Sequence, residues 1–312
     1  MKGLELSRRF YEEYGAPMIH ERFPELEHTL AVGLSGAGSE CFGYDDEISQ
    51  DHDFEPGFCI FTPDSVDRHT AFRLERAYAS LPREYLGFTR AAVAPVGGSR
   101  HGVIRQDDFF RTRTGAPDGR LTPREWMRVP ESYLAEVTNG EIFRDDAGIF
   151  TTARERLAHM PEDVRLKKLA GNLLLMAQSG QYNFPRCVYR GDTAAAQLAA
   201  FEFVRHTIAA CHNLSGRYTP YYKWSFRSLA ALPRLSDLAD ALEYLITTDN
   251  DKKTAPVKSE VIGDVARAVA DELRQESLTS TAGNDLERHA YACNDKIGDP
   301  DIRNLNILYA VD

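Results

Sequence analysis

The stretch Gly38-Ser39-Glu40-Cys41-Phe42-Gly43-Tyr44-Asp45-Asp46-Glu47-Ile48-Ser49-Gln50-Asp51-His52-Asp53-Phe54 constrains the fold more than any other part of the chain. The apolar run Leu30-Ala31-Val32-Gly33-Leu34 ahead of it reads as a buried strand. Ser35, Gly36, Ala37 and Gly38 are small enough for the backbone to turn tightly against a ligand. A short helix starting near Ser39 would turn its first amides toward an anion, and the Ser39 hydroxyl would add one hydrogen bond. Asp51 and Asp53 follow. In an extended strand residues i and i+2 share a face, roughly 7 Å apart at about 3.3 Å per residue, so these carboxylates converge while His52 points away. Such a pair can hold Mg²⁺ against a triphosphate. The competing reading is an acidic surface loop in which Asp51 caps a turn. Against it, Asp45, Asp46, Glu47, Asp51 and Asp53 would repel one another unless a cation or a basic partner relieved them.

With 312 residues, 43% of them hydrophobic, the chain can build two cores of ordinary size. No run approaches the roughly 18 apolar residues needed to span a bilayer, and the opening Met1-Lys2-Gly3-Leu4-Glu5-Leu6-Ser7-Arg8-Arg9 lacks a signal-peptide core. A cytoplasmic protein without a membrane partner is the expectation. Cys41, Cys59, Cys187, Cys211 and Cys293 show no Cys-x-x-Cys pairing and are expected to be buried small apolar residues. A net charge of −10 argues against an extended nucleic-acid surface. A small acceptor or a protein partner fits better.

The periodicity predicts two short helices between residues 4 and 26, interrupted by Gly15 and Pro17. A strand over 57–61 and a helix over 66–81 follow, with weaker strands at Ala91-Ala92-Val93 and Val103-Ile104 and a last strand over 140–145. From about Thr151 glycine becomes sparse and helical patterns run over 153–159, 164–178, 194–213, 235–247 and 257–275. The apolar Leu305-Asn306-Ile307-Leu308-Tyr309 is suited to dock on another element.

The Gly-Ser turn followed by Asp-x-Asp resembles the nucleotidyltransferase superfamily that includes kanamycin and lincosamide nucleotidyltransferases. The string Gly38-Ser39-Glu40-x-x-Gly43-Tyr44-Asp45-Asp46-x-x-Ser49-x-Asp51-His52-Asp53 is more similar still to a bacterial family of unknown function with that fold. Three more segments carry the likeness: Gly3-Leu4-Glu5-Leu6-Ser7, Val137-Thr138-Asn139-Gly140-Glu141-Ile142-Phe143-Arg144-Asp145 and Tyr218-Thr219-Pro220-Tyr221-Tyr222-Lys223-Trp224. The resemblance implies an α+β chain. Residues 1–150 would form a small mixed-sheet catalytic domain, and 151–312 an antiparallel helical bundle that binds the acceptor. Gly38 and Ser39 would bind the phosphates of a nucleoside triphosphate such as ATP, and Asp51 and Asp53 would hold Mg²⁺. An acceptor hydroxyl on a small molecule or protein would attack the α-phosphorus.

The superfamily usually adds a third carboxylate on a neighbouring strand, and no acid sits in the apolar part of Arg100-His101-Gly102-Val103-Ile104-Arg105. Asp107 and Asp108 read as an N-cap before Phe109-Phe110. Asp145, at the end of the last strand, is the expected third group, against a plain role opening the turn Asp145-Asp146-Ala147-Gly148. His101 is a further proton acceptor, weighed against a surface residue. Tyr222 and Lys223, with Tyr218 and Trp224, would stack a base and neutralise the triphosphate, weighed against aromatics that fill a core. Arg205 and His206 read as solvated helix residues. Two other functions fit the sequence: a nucleotide-binding or sensing module without turnover, and an interaction protein whose acidic loop meets a basic partner.

Overall fold

The computed structural model describes residues 1–48, 54–90 and 100–311. Asp51, Asp53 and the strand expected at Ala91-Ala92-Val93 lie outside them. The chain divides into two compact units, one formed by 1–121 with 133–159, the other by 122–132 with 160–312. In place of one cut after residue 150, a short segment around α6 (Pro123–Arg128) belongs with the later helices.

The first unit opens with α1 (Gly3–Phe10) and α2 (Ala16–Arg22). The break expected at Gly15 and Pro17 is replaced by a π turn over Tyr11–Gly15, in which Ala16 N–H reaches back to the Tyr11 carbonyl. A wider turn absorbs the missing N–H of Pro17, so the helix continues. Then come β1 (Ala31–Leu34), α3 (Ser39–Phe42), β2 (Cys59–Thr62), α4 (Arg68–Ala79), a hairpin of β3 (Glu84–Tyr85) and β4 (Phe88–Thr89), β5 (Gly102–Arg105) and α5 (Gln106–Thr114). After α6, the helix α7 (Glu131–Thr138) leads into β6 (Glu141–Asp145) and α8 (Ile149–Ala158).

The four-stranded sheet has the order β5-β2-β1-β6, with β2 and β5 parallel and the other pairs antiparallel. The expected small mixed sheet within an α+β chain is therefore present. Alternation along the strands sends Val32 and Ile60 into a core with Phe10, Ile19 and Leu74. The other face buries Phe61, stacked on Phe150 of α8 at 4.1 Å and edge-on to Phe109 of α5 at 5.0 Å.

The second unit is helical. It contains α9 (Glu162–Met176), α10 (Phe184–Tyr189), α11 (Thr193–Leu214), α12 (Ser225–Leu229), α13 (Ala239–Thr247), α14 (Thr254–Gln275), α15 (Leu286–Asp295) and α16 (Pro300–Arg303). Leu169 and Leu173 of α9, Phe203 of α11 and Val269 of α14 share one core. The C-terminal segment docks on α9, where Gly171 leaves room: a Cβ there would lie 2.9 Å from Val311. Four of the five cysteines are buried as expected, and Cys187 is half-buried. Among the described residues, no helix is long and apolar enough to cross a membrane.

A glycine turn and a polar cavity as candidate sites

Strand register decides what gathers near Gly38. Leu34 at the end of β1 pairs with Glu141, Gly33 pairs with Cys59, and Cys59 pairs with Gly102. One end of the sheet therefore presents the loop after β1 together with the starts of β2, β5 and β6. The loop is pinned by Asn139, whose Oδ1 accepts from Gly36 N–H at 3.0 Å and whose Nδ2 donates to the Gly36 carbonyl at 2.7 Å. Ser35 Oγ donates to the Glu136 carbonyl at 3.0 Å. Gly140 N–H donates to the Cys41 carbonyl at 2.8 Å. Gly140 has φ +63°, and a Cβ there would overlap the Leu34 carbonyl oxygen, so this position demands glycine.

Two side chains missed by the sequence reading shape this turn. The helix α5 runs back along the sheet and returns Arg113 to it, with Nη2 3.7 Å from where a Cβ of Gly36 would sit. Arg113 is held by Glu136 at 3.0 Å and stacked over Phe109 at 4.4 Å, while Nη2 makes no hydrogen bond among the described residues. The second is Glu40. Its carboxylate folds over Gly38, where a Cβ would collide with it, and Ser39 Oγ lies 3.4 Å from Glu40 Oε2. The place that the sequence assigns to phosphate is filled by the chain's own carboxylate. Behind it, Gly3 of α1 packs on the Glu40 stem, and Gly3 N–H donates to buried Asp45 at 2.8 Å.

The expected third acids sit elsewhere. Asp145 pairs with Ala31 at the opposite end of β1, four residues beyond Glu141, or roughly 13 Å at about 3.3 Å per residue. Its Oδ2 accepts from Thr151 N–H at 2.7 Å, which ties it to the first turn of α8. Asp145 is thus a turn residue here, away from Gly38 and Ser39. Asp107 and Asp108 also follow the far end of β5. They occupy the first turn of α5, whose N-cap is Arg105, so they are not caps. Asp108 instead lines an open cleft of about 660 Å³ with Arg68, Glu75 and Arg105. His101 is no surface residue: it is 8% exposed at the start of β5, and Nδ1 lies 3.0 Å from Glu55 Oε1.

Among the described residues no group of three or more His, Cys, Asp or Glu side chains could hold a metal ion. Glu40 is turned onto Gly38 and Glu55 is engaged by His101, so neither extends a ligand set. A Mg²⁺ site would rest on Asp51 and Asp53, outside the described residues. Burial pushes the Cys59 thiol up to about 12, and Cys41 is raised by burial as well, so neither is a thiolate nucleophile near the turn.

In the second unit, Tyr222 lines a cavity of about 240 Å³ together with Tyr221, Lys168, Asn172, Arg205 and His206. Lys223 is not among its walls; it is exposed and lies over Trp224 at 4.8 Å. Nor do Tyr221 and Tyr222 fill a core, since they are 53% and 76% exposed. His206 is 2% exposed rather than solvated, because α11 turns it toward α9. Its Nδ1 lies 2.9 Å from Asn172 Oδ1, and Arg205 Nη2 lies 3.1 Å from Nε2. Burial, reinforced by Arg205 and opposed by Glu202, whose Oε2 lies 3.3 Å from Nε2, pushes the imidazole down to about 4. The ring is therefore neutral at neutral pH, and its partners Asn172 Oδ1 and Arg205 Nη2 fit a ring that donates through Nδ1 and accepts at Nε2. Asn172 Nδ2 donates to Asn213 at 3.3 Å, and Asn213 Nδ2 donates to Glu131 Oε1 at 2.9 Å. Glu131 Oε2 accepts from Thr219 N–H and Oγ1 at 3.0 and 2.8 Å. A polar chain thus runs through an apolar interior with its members bonded to one another.

No curated protein and no solved structure matches the chain. A family model described as a domain of unknown function (DUF4037) matches residues 126–225. That segment contains Glu131, Lys168, Asn172, His206 and Tyr222 of the cavity and none of Gly38, Ser39, Asp51 or Asp53; over it, the chain is similar to that domain.

Proposed function

We propose that the first unit binds a nucleoside triphosphate such as ATP at the Gly38–Ser39 turn and transfers its nucleoside monophosphate to a hydroxyl of a small molecule or protein. The reading carries with it a nucleotidyltransferase fold and an acceptor-binding antiparallel bundle. The observation that supports it best is the turn itself: Asn139 fixes the backbone, and Arg113 brings to Gly36 an Nη2 that makes no hydrogen bond among the described residues. A guanidinium is suited to a phosphate, since it is always charged and presents a planar fork. In the transfer, the acceptor oxygen bonds to the α-phosphorus, the bond to the bridging oxygen breaks, and pyrophosphate leaves. With Asp145 at the far end of the sheet, His101 takes its place as proton acceptor, oriented through Nδ1 by Glu55. Mg²⁺ on Asp51 and Asp53 would neutralise the triphosphate.

Glu40 gives the test. Its carboxylate must leave Gly38 before a phosphate can enter, so removing its charge should help binding. Calorimetry with a nonhydrolysable ATP analogue should show Glu40→Gln binding about tenfold tighter than wild type and Arg113→Ala about tenfold weaker, each about 1.4 kcal/mol. Unchanged affinity in both variants would remove phosphate from this turn. The same Glu40 observation favours a second reading, a nucleotide-binding module without turnover. Binding without pyrophosphate release, with every nucleotide and a pool of acceptors, would select it.

A further inference from the structure

We infer that the cavity of the second unit is a receptor for a small anionic molecule, whose carboxylate or phosphate group pairs with Lys168. Three lysines are buried in this unit, and two of them are fully engaged. Lys167 Nζ donates to Asn294 Oδ1 at 2.8 Å, to the Leu305 carbonyl at 2.7 Å and to the Arg303 carbonyl at 3.2 Å. Lys258 Nζ donates to the Thr248 carbonyl, Asn250 Oδ1 and Gln197 Oε1 at 2.6, 2.9 and 3.0 Å. Each therefore has an acceptor for all three of its N–H donors.

Lys168 differs. It is 2% exposed and lines the cavity, yet its Nζ has one acceptor among the described residues, the Ala310 carbonyl at 3.2 Å. No carboxylate of the described residues lies within ion-pair distance. A buried ammonium with two idle donors is costly unless something charged completes it.

The described residues of the rest of the wall do not supply that partner. Among the described residues Glu131 is its one acid, and both of its oxygens are taken by Asn213 and Thr219. Arg205 adds a second positive charge at the mouth, where it also reaches Glu202 at 3.1 Å. His206 is occupied on both ring nitrogens. Among the described wall residues two cations, Lys168 and the Glu202-paired Arg205, thus stand against one satisfied carboxylate. Tyr221 and Tyr222, 4.3 Å apart and exposed, offer apolar faces for the body of the ligand. At about 240 Å³ the cavity falls below the roughly 300–1,000 Å³ that drug-sized ligands occupy, which favours a compact molecule over a nucleotide. This inference is independent of nucleotide binding at Gly38.

The experiment titrates the full-length protein with inorganic phosphate, phenyl phosphate, benzoate and, as a neutral control, benzyl alcohol. The side-chain amide NMR signals of Asn172 and Asn213 report on the cavity. Benzoate or phenyl phosphate should shift both signals saturably, the tighter of the two identifying the headgroup, and benzyl alcohol should not. Inorganic phosphate, lacking a body for the tyrosines, should bind more weakly than phenyl phosphate. Lys168→Met, which keeps the aliphatic stem, should weaken binding at least tenfold. Tyr222→Ala and Arg205→Ala, both at exposed positions, should weaken it severalfold and secure the test if Lys168→Met fails to fold. Wild-type affinity in Lys168→Met, in both rim variants, or for benzyl alcohol would overturn the inference, as would the absence of any shift with all of the anions.

Discussion

The turn of the first unit and the cavity of the second handle polar atoms in a packed interior in opposite ways. Around Gly38 the partners are largely backbone and one amide side chain, Asn139, and the chain closes over itself, with Glu40 laid on Gly38. In the cavity the partners are side chains from Glu131 to His206, and a buried ammonium has a single acceptor among the described residues. Satisfied backbone gives a rigid frame that needs rearrangement before it accepts a charge. Unsatisfied side-chain donors give a pocket that gains from a ligand as it stands.

The rigidity of the turn is tested hardest at Gly140. Gly140→Ala combines positive φ with overlap on the Leu34 carbonyl, and should cost about 4 kcal/mol in urea denaturation. Gly148→Ala, at φ +67° with open space around it, should cost only about 1 kcal/mol. Equal losses would mean that the turn yields as easily as a surface loop.

The cavity is tested by acid. The folded His206 titrates near 4, below the ordinary 6.5, so between these values the unfolded chain binds the extra proton. Stability therefore rises with pH through that window and falls as pH drops from 6.5 toward 4, by up to about 3 kcal/mol for this group. His206→Gln should flatten that part of the stability profile. A profile identical to wild type would show that the imidazole protonates in place.

A smaller effect is expected when the pin itself is removed. Asn139→Ala leaves Gly36 N–H and the Gly36 carbonyl without their partner and should cost about 2 kcal/mol, with a parallel loss of nucleotide affinity. Loss of stability with full affinity would separate the frame from binding. The smallest change is expected for Asp145→Asn. An amide oxygen can still accept from Thr151 N–H, so stability should fall by less than about 0.5 kcal/mol, and nucleotide-dependent turnover should be unchanged. A collapse of turnover with stability intact would return Asp145 to the site.

Local pattern carried much of the fold. The apolar run from Leu30 to Leu34, the helical spacing over 164–178, 194–213 and 257–275, and the small residues from Ser35 to Gly38 depend on nearest neighbours along the chain, and the observed elements follow them closely. Thr122 with Glu125, a capping box three residues apart, was an equally local signal for α6 that went unread. The π turn at Tyr11–Gly15 was less legible, because Gly15 and Pro17 look like breakers until packing holds the helix together.

By itself, then, the sequence determined the strand, the glycine turn and the helical second half, since those depend on periodicity and on residues too small to obstruct a bend. Only tertiary structure decided which acids meet that turn. Register put Glu141 beside Leu34 and carried Asp145 to the far end, the return of α5 delivered Arg113, and Glu40 folded back onto Gly38. The same holds for Lys167 and Lys168, adjacent in sequence and alike in burial, of which one is saturated by the C-terminal segment and Asn294 while the other faces a cavity. The physical reason is that a charge's partners are set by what packs against it across long sequence separations, and local spacing carries no record of that.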